Sequence, residues 1–128
     1  MTDTTTGTAT KISFRKFSLW LLIAGLANVT VFLAGQAAGA SMMVTAGEVN
    51  VAMTFFATLT PLAIAGWATN LIVRRRPSFL GTARWLGLVF GLLTAGMPLS
   101  ASADLTTGVS LALMHVFAGL SWYLGTKK

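Results

Sequence analysis

The sequence predicts an all-α membrane protein: a four-transmembrane-helix bundle with the N-terminus and the C-terminus both cytoplasmic. Three observations carry this expectation. Hydrophobic residues make up 55 % of the chain and charged residues only 9 %, against about a quarter charged in an ordinary soluble domain. The apolar residues fall into four runs, about 17–38, 49–73, 83–101 and 105–125. Each run has near the roughly 17 to 25 residues that a spanning helix needs, allowing for tilt. Finally, the Lys and Arg residues fall in three groups that, with four spans, all lie on one side of the membrane.

Taken in order, residues 1–16 read as a disordered basic tail and residues 17–126 as the transmembrane domain. Met1 to Thr10 is Thr-rich, polar and without apolar periodicity, so it has little to bury. Lys11, Arg15 and Lys16, interleaved with Phe14 and Phe17, form an interfacial collar, and Trp20 opens the first span at headgroup level. Gly39 to Glu48 is a short loop. The second span ends at Arg74, Arg75, Arg76 and Pro77, and Arg84 opens the third. Pro98, Ser100, Ser102 and Asp104 mark a tight turn into the fourth, which carries the only histidine, His115. About ten residues into its span, at about 1.5 Å per residue, His115 lies near the bilayer midplane.

The basic groups set the orientation. The loops on the other side contain Glu48 and Asp104 and no Lys or Arg, so the positive-inside rule places both ends and the central loop in the cytoplasm of a bacterial inner membrane. Arg74, Arg75 and Arg76 are then expected to meet anionic headgroups of the bilayer. The net charge of +6 is thereby a topology signal, and no nucleic-acid partner is expected. A competing parse makes the first run a signal peptide cleaved after Ala38-Gly39-Ala40. Against it, an apolar core of about twenty residues exceeds the roughly 7 to 15 of a signal sequence.

Small residues are the means of helix association in lipid. Gly87, Gly91 and Ala95 recur every four residues, with Gly35 and Gly39 as a second pair and Gly108 and Ala112 as a third. Packing within one chain is the first expectation for them and homodimerisation the second. Polar groups at mid-depth must face the bundle interior and find partners. Asn28, Thr58, Thr60, Thr94 and His115 are therefore expected to form one internal polar layer, which either fixes helix register or binds a small ligand with His115 as proton partner. Pro61 frees the carbonyl of Ala57, which a threonine or a water must satisfy. Asp104 is about 16 Å along the axis from His115 and fits better as a cap on the positive end of the fourth helix. Glu48 stands in the corresponding place before the second.

Other chemistry is set aside on composition. There is no cysteine, hence no thiolate metal site, iron–sulfur cluster or cysteine nucleophile. No metal site and no cofactor are expected. Two adjacent methionines, Met42 and Met43, are a poor copper signal, and a haem held between two histidines would need a second subunit. The membrane carboxylate of proton-coupled small multidrug exporters is replaced here by Asn28, which cannot exchange protons.

Several motifs together resemble a bacterial family of small four-span membrane proteins described only as a domain of unknown function. They are Ala27-Asn28 with Gly35-Gln36-Ala37-Ala38-Gly39, Leu59-Thr60-Pro61-Leu62, Pro98-Leu99, and Asp104 ahead of Ala112-Leu113-Met114-His115. The resemblance implies a four-helix inner-membrane protein and carries no activity. Three functions stay open. The first is an accessory or structural subunit bound to a larger membrane partner. The others are a carrier of a quinone or other lipid, and a membrane isomerase or hydrolase using His115.

Overall fold

Four helices in a computed structural model of the chain are long and apolar enough to cross a membrane. The structure describes residues 11–127, so most of the predicted tail and Lys128 lie outside the described residues. In chain order the elements are α1 (Phe14–Ala37), β1 (Met43–Val44), β2 (Gly47–Glu48), α2 (Val51–Val73), α3 (Phe79–Thr94), α4 (Met97–Ala101) and α5 (Leu105–Thr126). The third span, Phe79–Ala101, is α3 and α4 together. It breaks at Ala95 and Gly96 because Pro98 has no N–H to continue the ladder and its ring disfavours helix behind it.

Two boundaries differ from the sequence expectation. α1 starts three residues early, so Phe14, Arg15 and Lys16 are helix and not tail. The first backbone bond of the helix runs from the Phe17 N–H to the Ser13 carbonyl at 2.9 Å, and Lys16 Nζ donates to the Lys127 carbonyl. The Gly39–Glu48 loop holds a small antiparallel hairpin, with Met43 opposite Glu48 and Val44 opposite Gly47. Glu48 is therefore in β2 and does not cap α2. Asn50 does, its side chain accepting from the Met53 N–H at 2.8 Å.

α5 is the central helix. It packs between α1 and the α3–α4 pair, while α2 packs chiefly on α1 and also touches α3 and α5. Glycines set these approaches. A Cβ on Gly91 would stand 2.8 Å from the Gly119 Cα, and one on Gly87 would overlap the Trp122 ring. Gly25 is covered by Leu59 and Phe55, and Gly66 by Phe17. Trp122 is buried against α3 and donates from Nε1 to the Ala83 carbonyl at 2.9 Å. Phe17 meets its ring edge-on at 5.7 Å.

Gly39 has a different task from the packing expected of it. Nothing lies within 4 Å of a Cβ placed there. At φ +93° it closes α1. The Gly39 N–H bonds the Gln36 carbonyl and the Ala40 N–H bonds the Gly35 carbonyl at 2.9 Å, the paired bonds of a Schellman ending. Gly35, one turn inside, does sit in a contact, against Ser110 and Met42. Ala95, the last of the third-helix stripe, follows α3 as its half-buried C-terminal cap.

Both ends of the described chain and the turn at Arg74–Arg84 gather at one end of the bundle. The Ile12 N–H bonds Asn70 Oδ1 at 2.8 Å, and an Arg84 nitrogen donates to the Thr126 carbonyl at 3.1 Å. Glu48 and Asp104 are at the opposite end, beside the hairpin and the start of α5.

Candidate functional site

The membrane-spanning part of the bundle is inside-out relative to a soluble protein. The buried side of α2 carries Thr54, Thr58, Gly66 and Thr69, whereas its exposed side carries Phe56, Ile64 and Trp67. Apolar side chains are at no disadvantage against lipid, and hydroxyls are best kept inside, where backbone carbonyls can accept from them. Thr54 Oγ1 donates to the Asn50 carbonyl at 2.9 Å and Thr58 Oγ1 to the Thr54 carbonyl at 2.8 Å.

Of the five polar residues expected to share a layer, the structure brings two together. Asn28 Nδ2 donates to Thr58 Oγ1 at 2.9 Å, linking α1 to α2. Asn28 is 2 % exposed, and its Oδ1 is buried without a hydrogen-bond partner among the described residues. Turning the amide over does not repair this, because the Thr58 hydroxyl hydrogen is already given to Thr54.

The other three stand apart. Thr60 is two residues beyond Thr58, about 200° around the helix, and is exposed. Thr94 donates to the Phe90 carbonyl at 2.7 Å, within its own helix. His115 is half-buried with Nδ1 2.8 Å from the Leu111 carbonyl. A carbonyl can only accept, so Nδ1 carries the hydrogen and a neutral ring offers Nε2 as an acceptor. Asp104, the carboxylate that opens the same helix, is eleven residues from His115.

A polar cluster that sequence reasoning missed lies at the hairpin end. Asp104 caps α5, its Oδ1 accepting from the Thr107 N–H at 2.7 Å. Its Oδ2 accepts from Thr107 Oγ1 at 2.8 Å and from the Ser41 N–H at 3.2 Å, and also from the Ser41 hydroxyl. Thr107 Oγ1 in turn accepts from the Met42 N–H at 3.0 Å. These donors, Ser41 Oγ foremost and then Thr107 through its N–H and its hydroxyl, hold the Asp104 carboxyl well below the usual carboxylate range. The clasp also fixes Met42, a fully buried residue in the left-handed region at φ 55°, where a bulky side chain needs external support. Met43, in contrast, is exposed, so the two methionines do not converge. Asp104-Leu105-Thr106-Thr107 was legible as a cap; its partner Ser41, 63 residues earlier, was not.

At the basic end two recesses open. One is bounded by Leu71, Ile72, Arg74, Arg75 and Arg76. The other is bounded by Pro77, Ser78, Leu80, Gly81, Arg84 and Lys127. Among the described residues no three His, Cys, Asp or Glu side chains come together as metal ligands.

A family of unknown function, DUF6069, matches residues 9–128. The chain belongs to that family. The match runs over all four spans, the hairpin and the Asp104 clasp, in agreement with the resemblance carried by the Asn28, Pro61, Asp104 and His115 motifs. No curated protein and no solved structure matches the chain. DUF6069 thus gives this chain a family without an activity; the four apolar helices are a finding of the structure.

Proposed function

We propose that this chain is an accessory or structural subunit of a larger assembly in a bacterial cytoplasmic membrane, with both ends in the cytoplasm. One observation carries the reading. Midway along α2, Thr60 and Pro61 face away from the bundle, and the Ala57 carbonyl that Pro61 leaves without a helical donor is on the same exposed side. Lipid offers neither group a partner at that depth; Thr60 can donate to a carbonyl one turn back, as exposed Thr30 does to Leu26, and a neighbouring helix can satisfy what is left over. Small residues there also admit a close approach. Apart from the unpaired Asn28 Oδ1 and the Trp122–Ala83 bond, the side-chain hydrogen bonds inside the spans, away from their ends, go to α1–α2 register and to single helix turns. The orientation rests on the gathered Lys and Arg residues, and Arg74, Arg75 and Arg76 meet anionic headgroups on that face.

The test is purification at native expression level in mild detergent. A stoichiometric membrane partner is expected, and Thr60→Trp is expected to release it while leaving the helical content intact. A clean monomer from wild type, or retention of the partner by the variant, contradicts the reading. A second copy as the partner would appear as a homodimer sensitive to the same change.

A second reading, a carrier of a quinone or other small lipophile, draws support from Asn28 Oδ1, a buried acceptor that a ligand hydroxyl would complete. Organic extraction and mass spectrometry of the purified protein test it. An extract empty of any stoichiometric small molecule argues against the carrier.

A further inference from the structure

The seam between α3 and α5 at the basic end has an order of its own. It starts in a shallow, largely open depression bounded by Pro77, Ser78, Leu80, Gly81, Arg84 and Lys127. Two of these residues are cations, and the described carboxylates, Glu48 and Asp104, are both at the other end of the bundle. Arg84 is held in place rather than free to sweep. One of its nitrogens donates to the Thr126 carbonyl at 3.1 Å, and its guanidinium lies over the Tyr123 ring at 5.7 Å. A guanidinium has five donors; Nε is buried without a partner among the described residues, and the Nη hydrogens not given to Thr126 are left for another acceptor. One step towards mid-membrane, Trp85 and Tyr123 stand edge to face at 5.1 Å, Trp85 exposed on the outer flank. Beyond them the exposed side chains on this side of both helices are apolar, Leu92 and Leu120 among them.

We infer that this seam is a binding site for one anionic phospholipid, its phosphate between Arg84 and Lys127 and its acyl chains along the exposed faces of α3 and α5 past Trp85. The order of cations, then an aromatic pair, then aliphatic side chains matches a lipid from phosphate through glycerol to tail. Fixed Arg84 supplies directed donors that the phosphate oxygens accept. Lys127 adds a second positive charge at the rim. The neighbouring Arg74, Arg75 and Arg76 are exposed and attract the same membrane surface without forming this site.

Gly81 gives a clean test. A Cβ there meets nothing within 4 Å, so Gly81→Glu adds an acid at the wall of the recess with no clash at Cβ, in the first turn of α3 where an acid favours the helix. Full-length protein in mild detergent is offered phosphatidylglycerol or phosphatidylcholine and the retained lipid is counted by native mass spectrometry. Wild type is expected to retain phosphatidylglycerol at least about tenfold better. Gly81→Glu is expected to bring the two lipids to parity, Gly81→Ala to keep the preference, and the triple change of Arg74, Arg75 and Arg76 to Gln to keep it as well. Inorganic phosphate at millimolar concentration is expected not to displace the lipid. Equal retention by wild type, an undiminished preference in Gly81→Glu, loss of preference in the triple variant, or displacement by phosphate each overturns the proposal. None of these outcomes depends on whether a protein partner is present.

Discussion

Asn28 and Asp104 show how single polar residues are handled at two depths. Asn28 is fully inside, and its one bond to Thr58 is the polar link that joins α1 to α2. Thr58→Val leaves the Asn28 amide without its acceptor and is expected to cost about 0.6 to 1.7 kcal/mol. Asn28→Leu removes both the bond and the unpaired Oδ1, so the double variant is expected to be no less stable than Thr58→Val alone. Denaturation in mixed micelles around this double-mutant cycle checks the coupling. Asp104 lies outside the spans, and its carboxyl is held low by Ser41 and Thr107. A carboxylate depressed in the folded state contributes stability above its unfolded pKa of about 4, and that contribution is lost as pH falls through the folded value. The melting temperature in detergent is therefore expected to be flat from pH 8 to about pH 5 and to fall below about pH 4. Asp104→Asn is expected to lower the plateau and flatten that acid slope; an unchanged slope would place the acid sensitivity elsewhere.

α5 and its partners show what an element can be read from. Its length and apolar character are in the sequence, and so are the glycines that let α3 approach. Gly91 is the tightest case against backbone, with the Gly119 Cα at 2.8 Å and the His115 carbonyl at 3.0 Å from an added Cβ. Backbone cannot retreat as a side-chain tip can, so Gly91→Ala is expected to destabilise the bundle by about 1 to 3 kcal/mol. Gly81→Ala, which has open space, is expected to be neutral or mildly stabilising through helix propensity. Equal melting temperatures for the two variants would contradict this account of the α3–α5 seam. Gly39 illustrates the limit of spacing arguments, since four residues from Gly35 it repeats the small-residue period yet serves to end the helix. Thr60 shows the same limit at the candidate site. Depth put it beside Thr58, but about 100° of turn per residue puts the two on opposite faces. The hairpin, the Ser41–Asp104 clasp and the Met42 conformation depend on contacts between distant loops, for which a single sequence holds no local signal.

At the scale of the whole molecule, the four spans follow from hydropathy because only closed backbone hydrogen bonding survives in lipid. The placement of every described Lys and Arg at one end follows from counting spans between them. What the sequence could not supply is which helices touch, because lipid-facing and helix-facing positions are both apolar. The absence of cysteine gives a direct measurement of the arrangement. Single cysteines at Lys11, Thr45 and Ser78 in sealed vesicles of known sidedness can be probed with a maleimide that does not cross the membrane. Lys11→Cys and Ser78→Cys are expected to label from the same face, the cytoplasmic one, and Thr45→Cys only from the other. Labelling of Lys11→Cys and Ser78→Cys from opposite faces, or of Thr45→Cys from the face they share, would contradict the four-span bundle.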